Sequence, residues 1–245
     1  MNHLKNLRLR GQHHNFYATA SSMASTTKID ILHHKDNLIG RPSASRDLAQ
    51  FICKINHLKN LSLHGRYVDF YITVSSASSM ASTTKDDCNT SSNVTDLTVT
   101  DYALERSQDC GSMFDNVKTI TIQVSGTVKC DVIQWIHLPA ATEFTIQAYE
   151  YAYGPTPLQD DPTSLPNALH KVSSQLVKVT FRDLNIGNNK TRGIIQAFRS
   201  SNDLKHLKIL RFMRCGTNER LDPSSIDSDD EHRIKVEIVH GKPVG

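Results

Sequence analysis

An α/β fold assembled from repeated strand-helix units is what this chain predicts, and three observations predict it. First, the chain contains a copy of itself: Asn2 to Leu9 reads NHLKNLRL and Asn56 to Leu63 reads NHLKNLSL, while SSMASTTK at Ser21 to Lys28 returns at Ser78 to Lys85. The offset grows from 54 to 57 residues, so three residues are inserted between the two matches. Self-similarity of this kind marks a repeat architecture. Second, an apolar pattern of the form LxxLxL recurs down the chain. Third, several of these segments follow apolar residues at helical spacing.

The strand segments, in order, are Leu4-Leu7-Leu9, Leu58-Leu61-Leu63, Val94-Leu97-Val99, Val117-Ile120-Ile122, Leu176-Val179-Phe181 and Leu207-Leu210-Phe212. Weaker matches are Ile29-Ile31, Ala141-Phe144-Ile146 and Ile234-Val236-Ile238. Alternation places the last two apolar side chains of each on one face and the residue between them on the other. From Leu7 to Val236 that gives nine segments, one about every 29 residues. Helical spacing is seen in Leu48, Phe51, Ile52 and Ile55; in Val132, Ile133, Trp135 and Ile136; in Leu165, Leu169 and Val172; and in Ile194, Ile195 and Phe198. Strands alternating with helices build parallel strands with helical crossovers. Each such unit buries its apolar face by stacking on its neighbours. A Rossmann-type sheet competes, but its strands would be continuous apolar runs, and these keep polar residues at alternate positions.

The segment FICKINHLKNLSLHG at Phe51 to Gly65, with Asp69-Phe70-Tyr71 and SSMAS at Ser78 to Ser82, resembles the ribonuclease-inhibitor type of leucine-rich repeat. More narrowly, it resembles the C-terminal repeats of invertebrate NOD-like receptors. That resemblance implies a single solenoid over residues 1–245, a horseshoe of about nine irregular strand-helix units with a parallel sheet on its concave face. It implies a cytoplasmic, non-catalytic module of innate immunity that senses a microbial ligand or binds a protein, with no cofactor. A leucine-rich repeat substrate adapter of a ubiquitin ligase is the alternative. In the family an Asn or Cys three residues after the last strand leucine satisfies backbone groups in the turn. Here Cys215 fits, while Gln12, Arg66, Tyr102, Ser125, Tyr149 and Leu184 hold the other such positions, so either those turns are built differently or the repeats have drifted and stack irregularly. Met1 stands where Ile55 stands in the second copy, and the expectation is that the chain begins inside a repeat of a longer protein.

Composition narrows the partners. A net charge of +3 over 245 residues is too small to imply nucleic acid. No run of 18 apolar residues is present, so no membrane span is expected. MNHLKNLRLRG lacks the apolar core of a secretory signal. Cys53, Cys88, Cys110, Cys130 and Cys215 lie far apart without metal-ligand spacing, as befits reduced cytosolic thiols. Three glycosylation triplets, at Asn89, Asn93 and Asn189, are expected to go unused without a signal peptide.

Reactive constellations are scarce. Gly187-Asn-Asn-Lys-Thr191 sits between a strand and a helix, where a phosphate loop would lie, but Leu184 and Asn189 replace its glycines. A polar turn capping the next helix is expected instead. The pairs His13-His14 and His33-His34 point to opposite faces of an extended chain and suit surface loops. The acidic stretch at Asp227 to Glu231 lacks the glycine and terminal glutamate of a calcium loop.

What remains is the polar face of the strands. The residue between the last two apolar positions of each segment is, in order, Arg8, Asp30, Ser62, Thr98, Thr121, Thr145, Thr180, Arg211 and Glu237. The next outward position gives Arg10, His64, Thr100, Gln123, Gln147, Arg182 and Met213. Threonine is a good residue for any exposed strand. Aligned across a sheet, however, Ser62, His64, Thr98, Thr100, Thr121, Gln123, Thr145, Gln147, Thr180 and Arg182 would form a hydrogen-bonding floor for a protein or glycan ligand. Tyr149, Tyr151 and Tyr153, on one side of an extended segment, would add aromatic contacts. The proline-rich stretch Gly154 to Pro166 reads as an inserted loop beside that surface.

Overall fold

Within each compact unit, successive strands pair in the order in which the chain makes them, with one exception at the first hairpin. The computed structural model describes residues 6–12, 15–21, 58–65, 93–100, 114–124, 133, 136–148, 161–215 and 233–240. They belong to two compact units, Met1–Lys118 with Trp135–Leu138, and Thr119–Gln134 with Pro139–Gly245. Each unit is α/β-like or β in content and carries an open, predominantly parallel sheet.

The first unit contains β1 (Asn6–Gln12), β2 (Asn15–Ser21), β3 (Asn60–Gly65) and β4 (Asp96–Thr100). Here the duplicated residues meet their own copies: β1 lies parallel to β3 with Asn6 opposite Asn60, Leu7 opposite Leu61, Leu9 opposite Leu63 and Gly11 opposite Gly65. β4 continues the parallel run on the far side of β3. On the other edge of β1, β2 runs antiparallel from Asn6 opposite Ser21 to Gln12 opposite Asn15.

Two sequence expectations change at this point. The strand expected at Ile29-Ile31 does not come between β1 and β3, because Arg8 pairs directly with Ser62. Asp30 is therefore not a rung of the row between them, and residues 28–32 lie outside the described ones. The strand that does lie beside β1 on its other edge is β2, which the repeat pattern did not announce. An antiparallel partner needs only a short connection, whereas a parallel one needs a crossover of a dozen residues or more. β2 also occupies an edge of β1 that would otherwise present unpaired backbone groups.

The second unit contains β5 (Thr119–Val124), β6 (Glu143–Ala148), α1 (Leu165–Val172), β7 (Lys178–Arg182), α2 (Asn188–Ser200), β8 (Ile209–Met213) and β9 (Lys235–Val239). All five strands are parallel and sequential. Residues in register are separated along the chain by 24, 35, 31 and 26 positions from β5 to β9, so the repeat length drifts around the expected value.

A single hydrogen-bonding device starts several of the strands. The carbonyl of the residue just before one strand accepts two successive N–H groups from the next repeat. Lys59 accepts from Thr95 and Asp96 at 2.9 and 3.0 Å in the first unit. Thr142 accepts from Val177 and Lys178 at 2.8 and 3.1 Å, and Val177 accepts from Lys208 and Ile209 at 2.8 and 3.1 Å, in the second. The forks hold the start of each of these strands in step with the previous one, which fixes which side chain faces which way.

The first apolar residue of each described LxxLxL segment (Leu58, Val94, Val117, Ala141, Leu176, Leu207 and Ile234) is buried. Among the described side chains the second and third follow, apart from the half-buried Ile238 at the end of β9. Burial of each larger aliphatic contributes about 1.5–3 kcal/mol. In the second unit α1 buries Leu165, Ala168, Leu169 and Val172, and α2 buries Thr191, Ile194, Ile195 and Phe198. Phe181 of β7 joins these layers: its ring meets Phe198 edge-on at 6.5 Å and stacks on Phe212 of β8 at 5.2 Å. The two helices that the sequence spacing predicts in this stretch are thus present. Ile133 is helical and buried, Ile136 is buried outside a helix, and Leu48 to Ile55 lie outside the described residues.

Of the proline-rich stretch, residues 161–166 are described, and they form a turn and the start of a helix rather than a loop. Asp161 caps a 3-10 turn, Pro162–Ser164, by accepting from the Thr163 N–H at 3.0 Å, and α1 follows directly. At its far end Ser173 is buried, donates to the Ala141 carbonyl at 2.8 Å and accepts from the Gln175 N–H at 3.1 Å. That hydroxyl ties α1 to the turn preceding β6. Among the described residues no helix is long and apolar enough to cross a membrane.

Candidate interaction face

Strand alternation leaves one sheet face polar, and register decides what stands beside what. In the first unit the row is Arg8, Ser62 and Thr98, with Arg10 opposite His64 one step further. Ser62 and Thr98 are half-buried, and Thr100 is buried with only 3% of its surface exposed. In the second unit the central row is Thr121, Thr145, Thr180, Arg211 and Glu237, each opposite the next. Beside it run Gln123, Gln147, Arg182, Met213 and Val239, again in register.

Thr121, Gln123, Thr145, Gln147 and Arg182 are all half-buried, so part of each side chain reaches the surface. Thr180, at 5% exposure, is enclosed within the row it was expected to offer. The accessible floor therefore consists of the exposed parts of Thr121, Gln123, Thr145, Gln147 and Arg182. The Gln123 carbonyl oxygen is buried and finds no donor among the described residues. Tyr149, Tyr151 and Tyr153 lie outside the described residues, as do His13, His14, His33, His34, residues 227–231 and every cysteine except Cys215.

Charge on this face is organised by cross-strand pairs that the sequence reading did not pick out. Glu143 on β6 accepts from Lys178 on β7 at 2.9 Å, one step before the threonine row. Within the row, Arg211 Nε donates to Glu237 at 2.7 Å, and Lys235 stands 3.3 Å from the same carboxylate. The hydrogen bond from Arg211, assisted by Lys235, holds the Glu237 carboxyl below the usual range. Glu143–Lys178 and Arg211–Glu237 each join opposite charges at facing register positions, a signal present in the sequence once the register is known.

At the strand ends the chain turns through two left-handed residues, Asp183 at φ 56° and Arg214 at φ 52°. They occupy equivalent places in successive repeats. The Asp183 N–H donates to the Met213 carbonyl at 3.0 Å and the Arg214 N–H to the Val239 carbonyl at 2.8 Å. Arg214 also donates to Asp183 Oδ2 at 2.7 Å, and Arg182 Nε lies 3.3 Å from that oxygen. One carboxylate oxygen thus faces two guanidinium groups. Asparagine and aspartate tolerate this backbone region; arginine does so less readily.

Cys215 follows, at the position where the repeat resemblance calls for Asn or Cys. Its thiol donates to the Phe181 carbonyl at 3.4 Å and approaches the Met213 carbonyl at 3.7 Å. Burial pushes the thiol up to about 11, against the opposing effect of backbone contacts with Leu184 and Met213. It serves the turn and is poorly suited to nucleophilic chemistry. In the previous repeat the same place is held by buried Leu184.

Gly187 to Thr191 forms a helix start. Gly187 adopts φ 72°, and the Thr191 hydroxyl donates to its carbonyl at 2.9 Å; among the described residues no side chain caps the helix. Among the described residues no group of three or more His, Cys, Asp or Glu side chains could hold a metal ion. The face can thus donate and accept hydrogen bonds and pair with charge. Compared with known proteins, the chain matches no family model, no curated protein and no solved structure.

Proposed function

We propose that this chain is a leucine-rich repeat solenoid whose role is binding, the ligand-sensing or protein-recognition region of a cytoplasmic receptor of the NOD-like type, without catalysis of its own. The observation that carries the reading is the register. Thr121, Thr145 and the flanking Gln123 and Gln147 stand in line across parallel strands, on the face opposite the one that α2 covers through Phe181. Repeats of one strand and one crossover, stacked in chain order, are the arrangement that presents such a continuous surface. The resemblance around Phe51 to Gly65 supplies the receptor part of the reading.

The test is capture from cell extract by the full chain and by a double variant carrying Thr121→Trp and Thr145→Trp, which blocks the floor sterically without changing its charge. A protein held by the original chain and lost by the double variant, with both giving the same circular dichroism, is the expected result. Equal capture by the two would remove the reading.

A further inference from the structure

The charges on the described part of the second unit's polar face do not balance. Glu143, Asp183 and Glu237 are each met by a cation, but Lys178, Arg182, Arg211, Arg214 and Lys235 supply five positive side chains against these three carboxylates. The excess lies at Lys235, whose side chain is 72% exposed, and at Arg182, 40% exposed. Arg182 shares its only described carboxylate oxygen with Arg214, which holds it at the shorter distance.

The neighbours of Arg182 say more about the partner. On β6 and β5 it is followed in register by Gln147 and Gln123, at strand intervals of about 4.8 Å. Carboxamides offer a donor and an acceptor together, which is what a peptide backbone requires. On the opposite side Met213 of β8 adds an adaptable apolar contact. A nucleic acid would call for many phosphate contacts, whereas this row has one available guanidinium and neutral amides.

We propose that this face docks an acidic, extended segment of a partner protein, its carboxylate on the Arg182 guanidinium and its backbone along Gln147 and Gln123. The proposal rests on the binding role given above and names the chemistry of what is bound. Arg182 is the anchor because a guanidinium takes a carboxylate through two parallel hydrogen bonds.

Fluorescence anisotropy on the full chain provides the test, with a labelled peptide of alternating glutamate and serine and its lysine-serine counterpart as probes. The glutamate peptide should bind, more weakly as salt is raised, and the lysine peptide should not. Arg182→Gln should weaken binding about fivefold. Lys205→Gln, an exposed charge in the turn before β8, should leave it unchanged. No binding of the glutamate peptide, equal loss in the two variants, or tighter binding of a single-stranded oligonucleotide would each overturn the proposal. If the glutamate peptide fails while the double tryptophan variant still loses its captured protein, the acidic partner alone falls; if the captured protein is retained, the binding role falls first.

Discussion

Glu237 shows how one residue couples the polar face to pH. Its carboxyl is held below the usual range by Arg211 and Lys235, so the folded state prefers the ionised form more than the unfolded chain does. A depressed carboxyl contributes stability that is present above the unfolded value, 4.5, and is lost as the pH falls through the lower folded one. Its partly exposed position limits the size. Glu237→Gln is expected to lower the urea midpoint at neutral pH by an amount worth about 0.5 kcal/mol, and the difference should shrink towards zero in strong acid. A gap that stayed constant down to low pH would mean that the carboxylate adds nothing. At the same scale, Arg182 and Thr180 illustrate that neighbouring places on one strand face need not share an exposure: one reaches solvent and the other is enclosed.

At the scale of the element, two glycines of the β7–α2 segment have opposite meanings. Gly187 enters α2 at φ 72° and ψ 157°, a conformation that a side chain makes costly. Gly193 sits inside α2 with ordinary helical geometry, and among the described residues a methyl group there would meet only Pro162, its Cγ at 3.4 Å, an ordinary contact. Gly193→Ala should therefore raise stability by about 0.5–1 kcal/mol through helix propensity and a less flexible unfolded chain. Gly187→Ala should lower it by about 1–3 kcal/mol. Thermal melting of the two variants checks both signs, and the same sign for both would show that the backbone argument fails.

On the scale of the whole molecule, each repeat is secured by its neighbours, so protection should follow the number of neighbours a strand has. In the second unit β6, β7 and β8 are paired on both sides, with Phe144, Phe181 and Phe212 beneath them. β9 pairs with β8 alone among the described residues. Native-state hydrogen exchange should find the slowest amides in β6 to β8, and faster ones in β9. Uniform protection across the unit would argue against stepwise stacking. In the first unit β2 plays the opposite part, giving β1 a second partner and leaving it with pairs on both edges.

Much of this was legible in the amino-acid order. Side-chain alternation is a local property, so the LxxLxL pattern located most of the described strands and their buried residues, down to the small Ala141. It also placed Thr121, Thr145 and Thr180 in one row, since equivalent positions of equivalent strands must align when neighbours pair in order. Helical spacing located α1 and α2 for the same reason. The choice of neighbour was a different matter. The pattern at Ile29-Ile31 looked like a rung, yet β1 pairs with β3 and β2, because a strand edge can be filled only once and that competition is settled across long stretches of chain. The Glu143–Lys178, Arg211–Glu237 and Asp183–Arg214 pairs, the left-handed turns at Asp183 and Arg214, and the burial of Thr180 depend likewise on what the next repeat brings alongside. The sequence by itself determined which residues alternate between core and surface; only the tertiary structure decided which strands meet, and hence which charges are paired and which guanidinium keeps an open side, because those are set by contacts between residues far apart in the chain.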